Sequence, residues 1–499
     1  MELLGDLGLG FATAFSPYNL LYCFIGVLLG TAVGVLPGLG PVATIAMLLP
    51  ITFGLPPVSS LIMLAGIYYG AQYGGSTTAI LINLPGESSS VVTAIDGYQM
   101  AKQGRAGPAL ATAALGSFFA GTVATFLLVL AAPPLAEVAL KFGPAEYFSL
   151  MVLGLVASVA LASGSLLKAF TMIVLGLLLG LVGSDVETGT QRFTFDMPEM
   201  ADGLNFVALS MGVFGLGEIL RNLEHEHSRS VMVKHVSGLK LSKADFKRIV
   251  GPVLRGTALG SVLGILPGGG AMLASFAAYT MEKKMSPNRA QFGKGAIEGV
   301  AAPEAANNAG AQTSFIPMLT LGIPSNPVMA LMIGAMIIQG ITPGPNVVTD
   351  EPELFWGMIV SMWIGNLMLV LLNLPLIGLW VRMLTIPYHL LFPAIIAFCC
   401  IGAFSVNNNV FDVFIMALFG VIGYTLIKLD FEPAPLLLGF VLGPMLEENL
   451  RRAMLLSRGS PMVFITHPLS LGLLLVAAAL LLIVVLPSVR SKREEAFSE

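Results

Sequence analysis

The chain has 499 residues, of which 56% are hydrophobic and only 11% are charged, and its formal net charge is −4. Soluble domains carry about 25% charged residues, so this composition excludes an ordinary water-soluble protein. The absence of a long basic tract argues against nucleic-acid binding, and three cysteines in apolar stretches form no disulfide framework. Repeated apolar runs of about twenty residues predict an all-α polytopic membrane protein.

The positions of Lys and Arg predict how the first half threads the membrane, because these residues concentrate in cytoplasmic loops. The first 101 residues contain neither, so we expect a retained, periplasmic N-terminus. Lys102 and Arg105 are placed inside, and so are the eight basic residues from Arg221 to Arg255. Four apolar segments connect these two regions, near 109–132, 146–163, 169–183 and 204–220.

The loops of the second half are likewise expected to alternate between the two sides of the membrane. Arg382 and Lys428 are placed inside, and a last span near 464–487 returns the C-terminus to the cytoplasm. The segment 447–460 is placed outside together with the acidic loop that follows residue 183. That segment contains three arginines, so it fits the charge rule least well.

Two stretches of the chain are similar in sequence. At a constant offset of 230, "GVLLGTAVGVLPGLG" (26–40) and "GTALGSVLGILPGGG" (256–270) agree at eight of fifteen positions. Basic residues follow the first copy and precede the second, so the copies are expected to enter from opposite sides. This is the pattern of an inverted-topology repeat, which is common in secondary transporters.

The helical segment that leads to the Pro-Gly motif in each copy is too short to cross the membrane. In the second copy, eleven residues lead from a basic loop to "LPGGG", and basic residues follow soon after residue 280. Because eleven helical residues cover only about half of a ~30 Å hydrocarbon core, the sequence predicts a re-entrant hairpin in each copy. The alternative is a proline kink in an ordinary membrane helix.

These patterns divide the chain into predicted regions. The first repeat is 1–220, with a hairpin at about 20–56, a broken span at about 58–96 and four further spans. A cytoplasmic basic linker follows at 221–255. The second repeat is 256–450, with a hairpin at about 256–280, a broken span at about 296–340 and further spans, and 451–499 adds one span and a cytoplasmic tail.

A polar cluster follows each hairpin. Gly74-Gly75 is expected to break a helix before Ser76, and Gly310 and Gly322–Pro324 are expected to do so in the second copy. Free N–H groups at half-helix starts suit a carboxylate, although any single polar residue could instead bond a neighbouring helix. The predicted substrate-binding residues are Gly38, Gly40, Gly75, Ser76, Thr77, Thr78, Asn83, Gly268, Gly269, Asn307, Asn308, Gln312, Thr313 and Ser314.

Carboxylates at membrane depth are costly and commonly functional. Glu87, Glu298, Glu304, Ser325 and Asn326 are therefore candidates for ion coupling, with Na⁺ or H⁺ as the coupling ion and no other cofactor. The glutamates could equally lie in cytoplasmic vestibules. A Na⁺ site is expected, without assigned ligands. No basic residue lies within either polar cluster, so an anionic substrate would depend on dipoles, amides and co-bound cations.

Four motifs carry a resemblance to a known family. "GVLPGLGP", "YGGSTTAILINLPGE", "EGVAAPEAANNAGAQTSFIPMLTLGIPSNP" and "EENLRRA" closely resemble the large membrane subunit of the tripartite tricarboxylate transporters. The resemblance spans almost the whole chain and implies a bacterial inner-membrane permease for citrate or a related carboxylate. It further implies ion-gradient coupling, an elevator-like mechanism, a small four-span partner subunit and a periplasmic binding protein. A homodimer is a further expectation.

Other functional classes find little support in the sequence. The five histidines, His225, His227, His235, His389 and His467, show no metal-ligand spacing within a span, and no phosphate-binding loop supports direct ATP coupling. An enzyme is therefore not expected. A channel is the weaker alternative, because duplicated hairpins within one chain favour alternating access. A permease for a different small organic anion remains the closer alternative.

Overall fold

The computed structural model describes the chain except for residues 1, 37, 163–164, 186, 225–235, 237, 267–269, 385, 387 and 487–499. Helices dominate the described part, which agrees with the all-α prediction. One small antiparallel hairpin pairs strand β1 (Gly183–Ser184) with strand β2 (Gln191–Arg192). Gly268, Gly269, much of the basic linker and the C-terminal tail lie outside the described residues.

The first half of the chain contains ten α-helices within the described residues. They are α1 (Glu2–Ala14), α2 (Pro17–Gly34), α3 (Pro41–Leu48), α4 (Pro57–Ile82), α5 (Val91–Lys102), α6 (Ala106–Ala139), α7 (Pro144–Leu161), α8 (Leu166–Gly180), α9 (Phe206–Ser210) and α10 (Gly217–Glu224). A π-helical segment, Met211–Leu216, joins α9 to α10. Several of these helices begin at a proline, whose fixed φ suits a first helical turn.

The second half continues in the same helical manner. Its helices are α11 (Lys243–Ile265), α12 (Gly270–Met285), α13 (Glu298–Thr313), α14 (Phe315–Leu321), α15 (Pro327–Ile338), α16 (Val347–Asp350), α17 (Pro352–Asn373), α18 (Ile377–Met383), α19 (Tyr388–Asn407), α20 (Val410–Lys428), α21 (Ala434–Leu456), α22 (Val463–Thr466) and α23 (Pro468–Val485). Thus α11 begins inside the predicted linker, and α21 runs through the predicted boundary at 450.

Five helical segments of the described chain are long and apolar enough to cross a membrane. They are Pro17–Gly34, Ala106–Ala139, Phe206–Glu224, Pro352–Asn373 and Val410–Lys428. Shorter apolar helices, such as Pro327–Ile338, accompany them. The length and composition of these segments support a multi-pass membrane protein.

Helices α2 and α4 run parallel and touch through their backbones. A Cβ added at Gly26, Gly30 or Gly34 would meet, in turn, Met63, Ile67 and Ala71. The contacts advance by four residues on both helices, which fixes the parallel direction. Consequently the intervening segment, which contains α3, must turn back after residue 34 before α4 begins.

Helices α11 and α13 repeat this arrangement at the positions related by the offset of 230. Glycines 256, 260 and 264 face the backbone of residues 302, 306 and 310, again in steps of four on both helices. The added Cβ would lie 2.7 Å from the facing Cα at both Gly30 and Gly260. The two similar stretches of sequence therefore make the same type of helix contact.

Two predicted helix breaks are wrong. Helix α4 continues through Gly74-Gly75 and ends at Ile82, where Asn83 adopts a left-handed conformation with φ 57°. Gly74 is instead a contact residue, because its added Cβ would lie 2.6 Å from the carbonyl carbon of Gly34. Likewise Gly310 lies within α13, whereas the predicted break near Gly322 is present as the left-handed end of α14.

Candidate functional site

A cavity of about 480 Å³ lies between Gly38–Gly40 and the start of α12. Gly38 and Gly40 line it from the first loop, and Gly270 and Ala271 line it where the second loop enters α12. Gly38 has φ +82°, and a Cβ there would collide with the Asn222 amide, so this position requires glycine. The two similar stretches of sequence thus meet at one site.

Several helices begin at this cavity. The starts of α3, α12, α15 and α21 all contribute lining residues, as does the short 3-10 turn Ser88–Ser90 that precedes α5. The first N–H groups of a helix have no intrahelical acceptor, and the helix dipole adds about half a positive charge there. This convergence brings free backbone N–H donors to the cavity without buried lysines.

Asn326 shapes the start of α15. Its Oδ1 accepts from the Met329 backbone N–H at 3.0 Å, and its Nδ2 donates to the Ser314 hydroxyl at 3.0 Å. Ser314 in turn donates to the carbonyl of Gly310 at 2.7 Å and lies 3.1 Å from the carbonyl of Gly264. Asn326 therefore caps α15 and links it to the residues beside the second glycine loop.

The charged residues that line the cavity include three that the sequence did not indicate: Glu218, Arg221 and Glu432. Glu87, Glu218 and Glu432 line it together with Arg221, the one basic residue among its described lining. Arg221 had been assigned to the basic linker. Its helix α10 brings it to the cavity, although its place in a charged stretch of the sequence suggested a solvent-exposed linker.

Helices α4 and α13 cross in opposite directions beside the cavity. Gln72 Nε2 donates to Asn307 Oδ1 at 3.3 Å, and Ser76 Oγ donates to Glu304 Oε1 at 2.7 Å. The residue numbers rise along α4 as they fall along α13, so the crossing is antiparallel. Asn307 Nδ2 also donates to Glu87 Oε1 at 3.0 Å and thereby holds this carboxylate at the cavity wall.

Glu304 lies in a second polar group, which is separated from the main cavity. Its side chain accepts from the hydroxyls of Ser76, Thr93 and Ser117 at 2.7, 3.0 and 3.2 Å. Asn308 Nδ2 donates to Ser117 Oγ at 2.7 Å. The carboxylate thus joins α13 to α4, α5 and α6, and Glu304 is only 1% exposed. Ser76 and Thr77 line a small cavity beside it, not the large one.

The remaining predicted binding residues are dispersed. Thr78 and Thr313 are buried and bond to carbonyls of their own helices, and Gln312 accepts from Thr125 at 3.4 Å. Ser325 donates to the Ser314 carbonyl at 3.3 Å. Gly75 packs against Gly86, and Asn83 is exposed. None of these residues lines the large cavity, so it gathers only part of the predicted set.

Glu298 occupies a separate ion pair. Arg248 donates to both of its carboxylate oxygens, at 2.8 and 2.7 Å, and Asn288 adds a third bond at 2.9 Å. This bidentate pairing neutralises the charge. Its place at the start of α13, beside basic residues of α11, matches the vestibule alternative for Glu298 better than a coupling role.

A charged cluster lies at the β1–β2 hairpin. Asp185 accepts from the backbone N–H of Thr188 at 2.8 Å and from Arg451 at 2.8 Å, and it also pairs with Arg192. The Thr188 backbone bond, with help from Glu187 N–H and the Arg451 charge, lowers the pKa of Asp185 to about 2. The cluster therefore joins the loop after α8 to α21.

Two proteins of Agrobacterium vitis are similar in sequence to this chain. A protein of Agrobacterium vitis, described as an uncharacterized 52.8 kDa protein in the TAR-I ttuC' 3' region, is 67% identical over 499 residues, which is 100% of this chain and 99% of that protein. An uncharacterized protein in the TAR-II ttuC' 3' region of the same organism is 65% identical over 240 residues, 48% of this chain and 99% of its own length. No solved structure gives a significant match.

The sequence profile of one family matches most of the chain. It is described as the Tripartite tricarboxylate transporter TctA family, and it covers residues 20–438, which include both glycine loops and every described residue of the Glu304 group. This is a family of transporters, not of enzymes, and its members work within three-part systems. The chain belongs to the tripartite tricarboxylate transporter TctA family.

Proposed function

We propose that this chain is the large permease subunit for ion-driven uptake of a tricarboxylate, such as citrate, or a related carboxylate across the bacterial inner membrane. One observation carries the proposal: several helix starts converge on a cavity of about 480 Å³. That volume lies within the usual range of about 300–1,000 Å³ for small-molecule sites. Helix N-termini are favourable positions for carboxylates. A periplasmic binding protein would deliver the substrate, and a small four-span subunit would complete the complex.

We further infer an inverted repeat with two re-entrant hairpins. Helices α2 and α4 are parallel, α11 and α13 are parallel, and α4 crosses α13 antiparallel. With these directions, the helix pair of the first copy runs antiparallel to the helix pair of the second. Both glycine loops then approach one cavity from opposite sides, as alternating access requires. An elevator-like movement of the hairpins is compatible with this arrangement.

The proposed orientation agrees with ion pairs between distant segments. Arg105 pairs with Asp245 at 2.7 Å, and both are assigned to the cytoplasmic side. Arg451 pairs with Asp185 at 2.8 Å, and both are assigned to the periplasmic side. Because Arg451 has acidic partners there, its presence in an outer segment conflicts less with the charge rule than the sequence implied.

The charge of the cavity supports the proposal of cation coupling. Three carboxylates and one guanidinium line it, so an anionic substrate meets a net negative wall. Opposite charges close by favour binding and like charges oppose it. Co-bound Na⁺ or H⁺ would offset this repulsion, and uptake would then depend on the gradient of that ion.

The proposal is tested by reconstituting the chain with its small subunit and its loaded binding protein in liposomes. Uptake of labelled citrate should follow an imposed Na⁺ or pH gradient without ATP, and preloaded unlabelled substrate should accelerate it by exchange. Uptake that requires ATP and ignores both gradients would contradict the mechanism. A channel would show no exchange stimulation, and competition by other organic acids would identify a different anion.

A further inference from the structure

The small cavity beside Glu304 has the composition of a cation site. It has a volume of about 20 Å³ and is lined by Tyr73, Ser76, Thr77, Glu304 and Asn373, with apolar residues of α6 and α18 closing it. A cavity needs about 10–15 Å³ to hold one water-sized particle. It therefore has room for a single atom or ion, and not for a carboxylate substrate.

Two side-chain oxygens at this cavity have acceptor capacity that no hydrogen bond uses. The Thr77 hydroxyl donates to the Tyr73 carbonyl at 3.1 Å, so its lone pairs remain free. Asn373 Nδ2 donates to the Leu369 carbonyl at 2.9 Å, which fixes the orientation of the amide. Its Oδ1 then has no hydrogen-bond partner within the described part of the chain, although Asn373 is only 5% exposed. Unpartnered buried acceptors are rare and call for a ligand.

Hydrogen-bond donors surround the carboxyl group of Glu304. The Asn308 amide donates to Ser117 Oγ, so the Ser117 hydroxyl must direct its proton to Glu304. Thr93 and Ser76 supply further hydroxyl donors. Donors around a carboxylate stabilise the charged form, yet no Lys or Arg is among the described residues that line this cavity. A buried charge without a partner is costly, so this carboxyl group requires either a proton or a bound cation.

We propose that this cavity binds one Na⁺ ion, held by Glu304, Ser76, Thr77 and Asn373. Hard cations prefer oxygen ligands, and a single carboxylate balances one positive charge. A divalent ion such as Ca²⁺ commonly takes 6–8 oxygens and more than one carboxylate, which this cavity does not offer. The inference rests on the proposed ion-driven transport and assigns its coupling ion to a site apart from the substrate cavity.

The experiment measures Na⁺ binding by the purified full-length chain in detergent. Apparent Tm is recorded in NaCl, KCl and choline chloride at equal ionic strength, and ²²Na⁺ binding is measured directly. A ligand that binds only the folded protein raises its Tm, so NaCl alone should raise it. Thr77→Val and Asn373→Leu should each weaken Na⁺ binding by about tenfold or more, and Glu304→Gln should abolish it.

Thr31→Val is the matched control. Thr31 is equally buried and donates to the carbonyl four residues earlier, at 2.8 Å, as Thr77 does, but it lies away from the cavity. It should bind Na⁺ like the unmodified chain. The proposal is overturned if NaCl and KCl act alike, if Thr31→Val weakens binding as much as Thr77→Val, or if only pH, and not Na⁺, changes Tm through Glu304. In that last case citrate uptake driven by a pH gradient would leave the proposed function standing.

Discussion

The backbone contacts of α2 and α11 lead to a specific prediction about Gly30→Ala and Gly260→Ala. Either new Cβ would lie 2.7 Å from the Cα of the facing residue and closer still to its carbonyl oxygen, whereas ordinary contact begins at 3.4 Å, so the helices must separate by more than about 0.7 Å. Overpacking of this kind costs about 1–3 kcal/mol. Alanine recovers about 0.5–1 kcal/mol in a helix, which leaves a net loss of up to about 2.5 kcal/mol for each variant.

Two helical glycines with open surroundings provide the controls. A Cβ at Gly8 in α1 or at Gly472 in α23 meets nothing within 4 Å. Gly8→Ala and Gly472→Ala should therefore keep or slightly raise the apparent Tm in detergent, while Gly30→Ala and Gly260→Ala should lower it by similar amounts. The reasoning fails if all four variants melt together, or if only one of the two related glycines is sensitive.

Three further predictions concern individual side chains. Arg221→Gln removes the one guanidinium from the described cavity lining, so the concentration dependence of uptake should show a raised KM for an anionic substrate while Tm is unchanged. Asn326→Ala removes the cap of α15 and should cost about 0.5–2 kcal/mol; Asn326→Ser, which can still cap, should retain Tm. The pKa of Asp185 is lowered from 3.8 to about 2, so its stabilising effect is complete above pH 4 and is lost as pH falls towards 2. Asp185→Asn should accordingly lower Tm at pH 7 but not at pH 2, and an equal effect at both values would contradict this assignment.

Part of the cavity lining could be predicted from short motifs. Proline followed by glycines indicated a loop near residues 37–40, and Gly38 and Gly40 do line the cavity. Charge asymmetry suggested opposite orientations for the two copies, because loops carry their basic residues irrespective of packing. These features depend on neighbouring residues alone, so they can be recognised in a single chain.

Other features depended on distant partners. Gly74-Gly75 resembles a helix break, but these glycines allow close approach to residue 34 and to Gly86, which only the packed structure reveals. Ser76 and Thr77 belong to the predicted polar cluster, yet the face of α4 that carries them turns towards Glu304. Arg221 reaches the cavity from a helix remote in sequence. Burial and pairing of this kind cannot be deduced from local composition.

The glycine contacts have a mechanical consequence. Side chains can change rotamer when two helices slide, whereas one backbone resting against another cannot adjust in this way. If α2 slid along α4, it would have to move by a full four-residue repeat, about 6 Å, before its glycines again lay against the backbone of α4 in the same way. We therefore expect α2 to move with α4, and α11 with α13, as rigid pairs. Any displacement that exposes the substrate to the other side of the membrane must then be absorbed by the connecting loops.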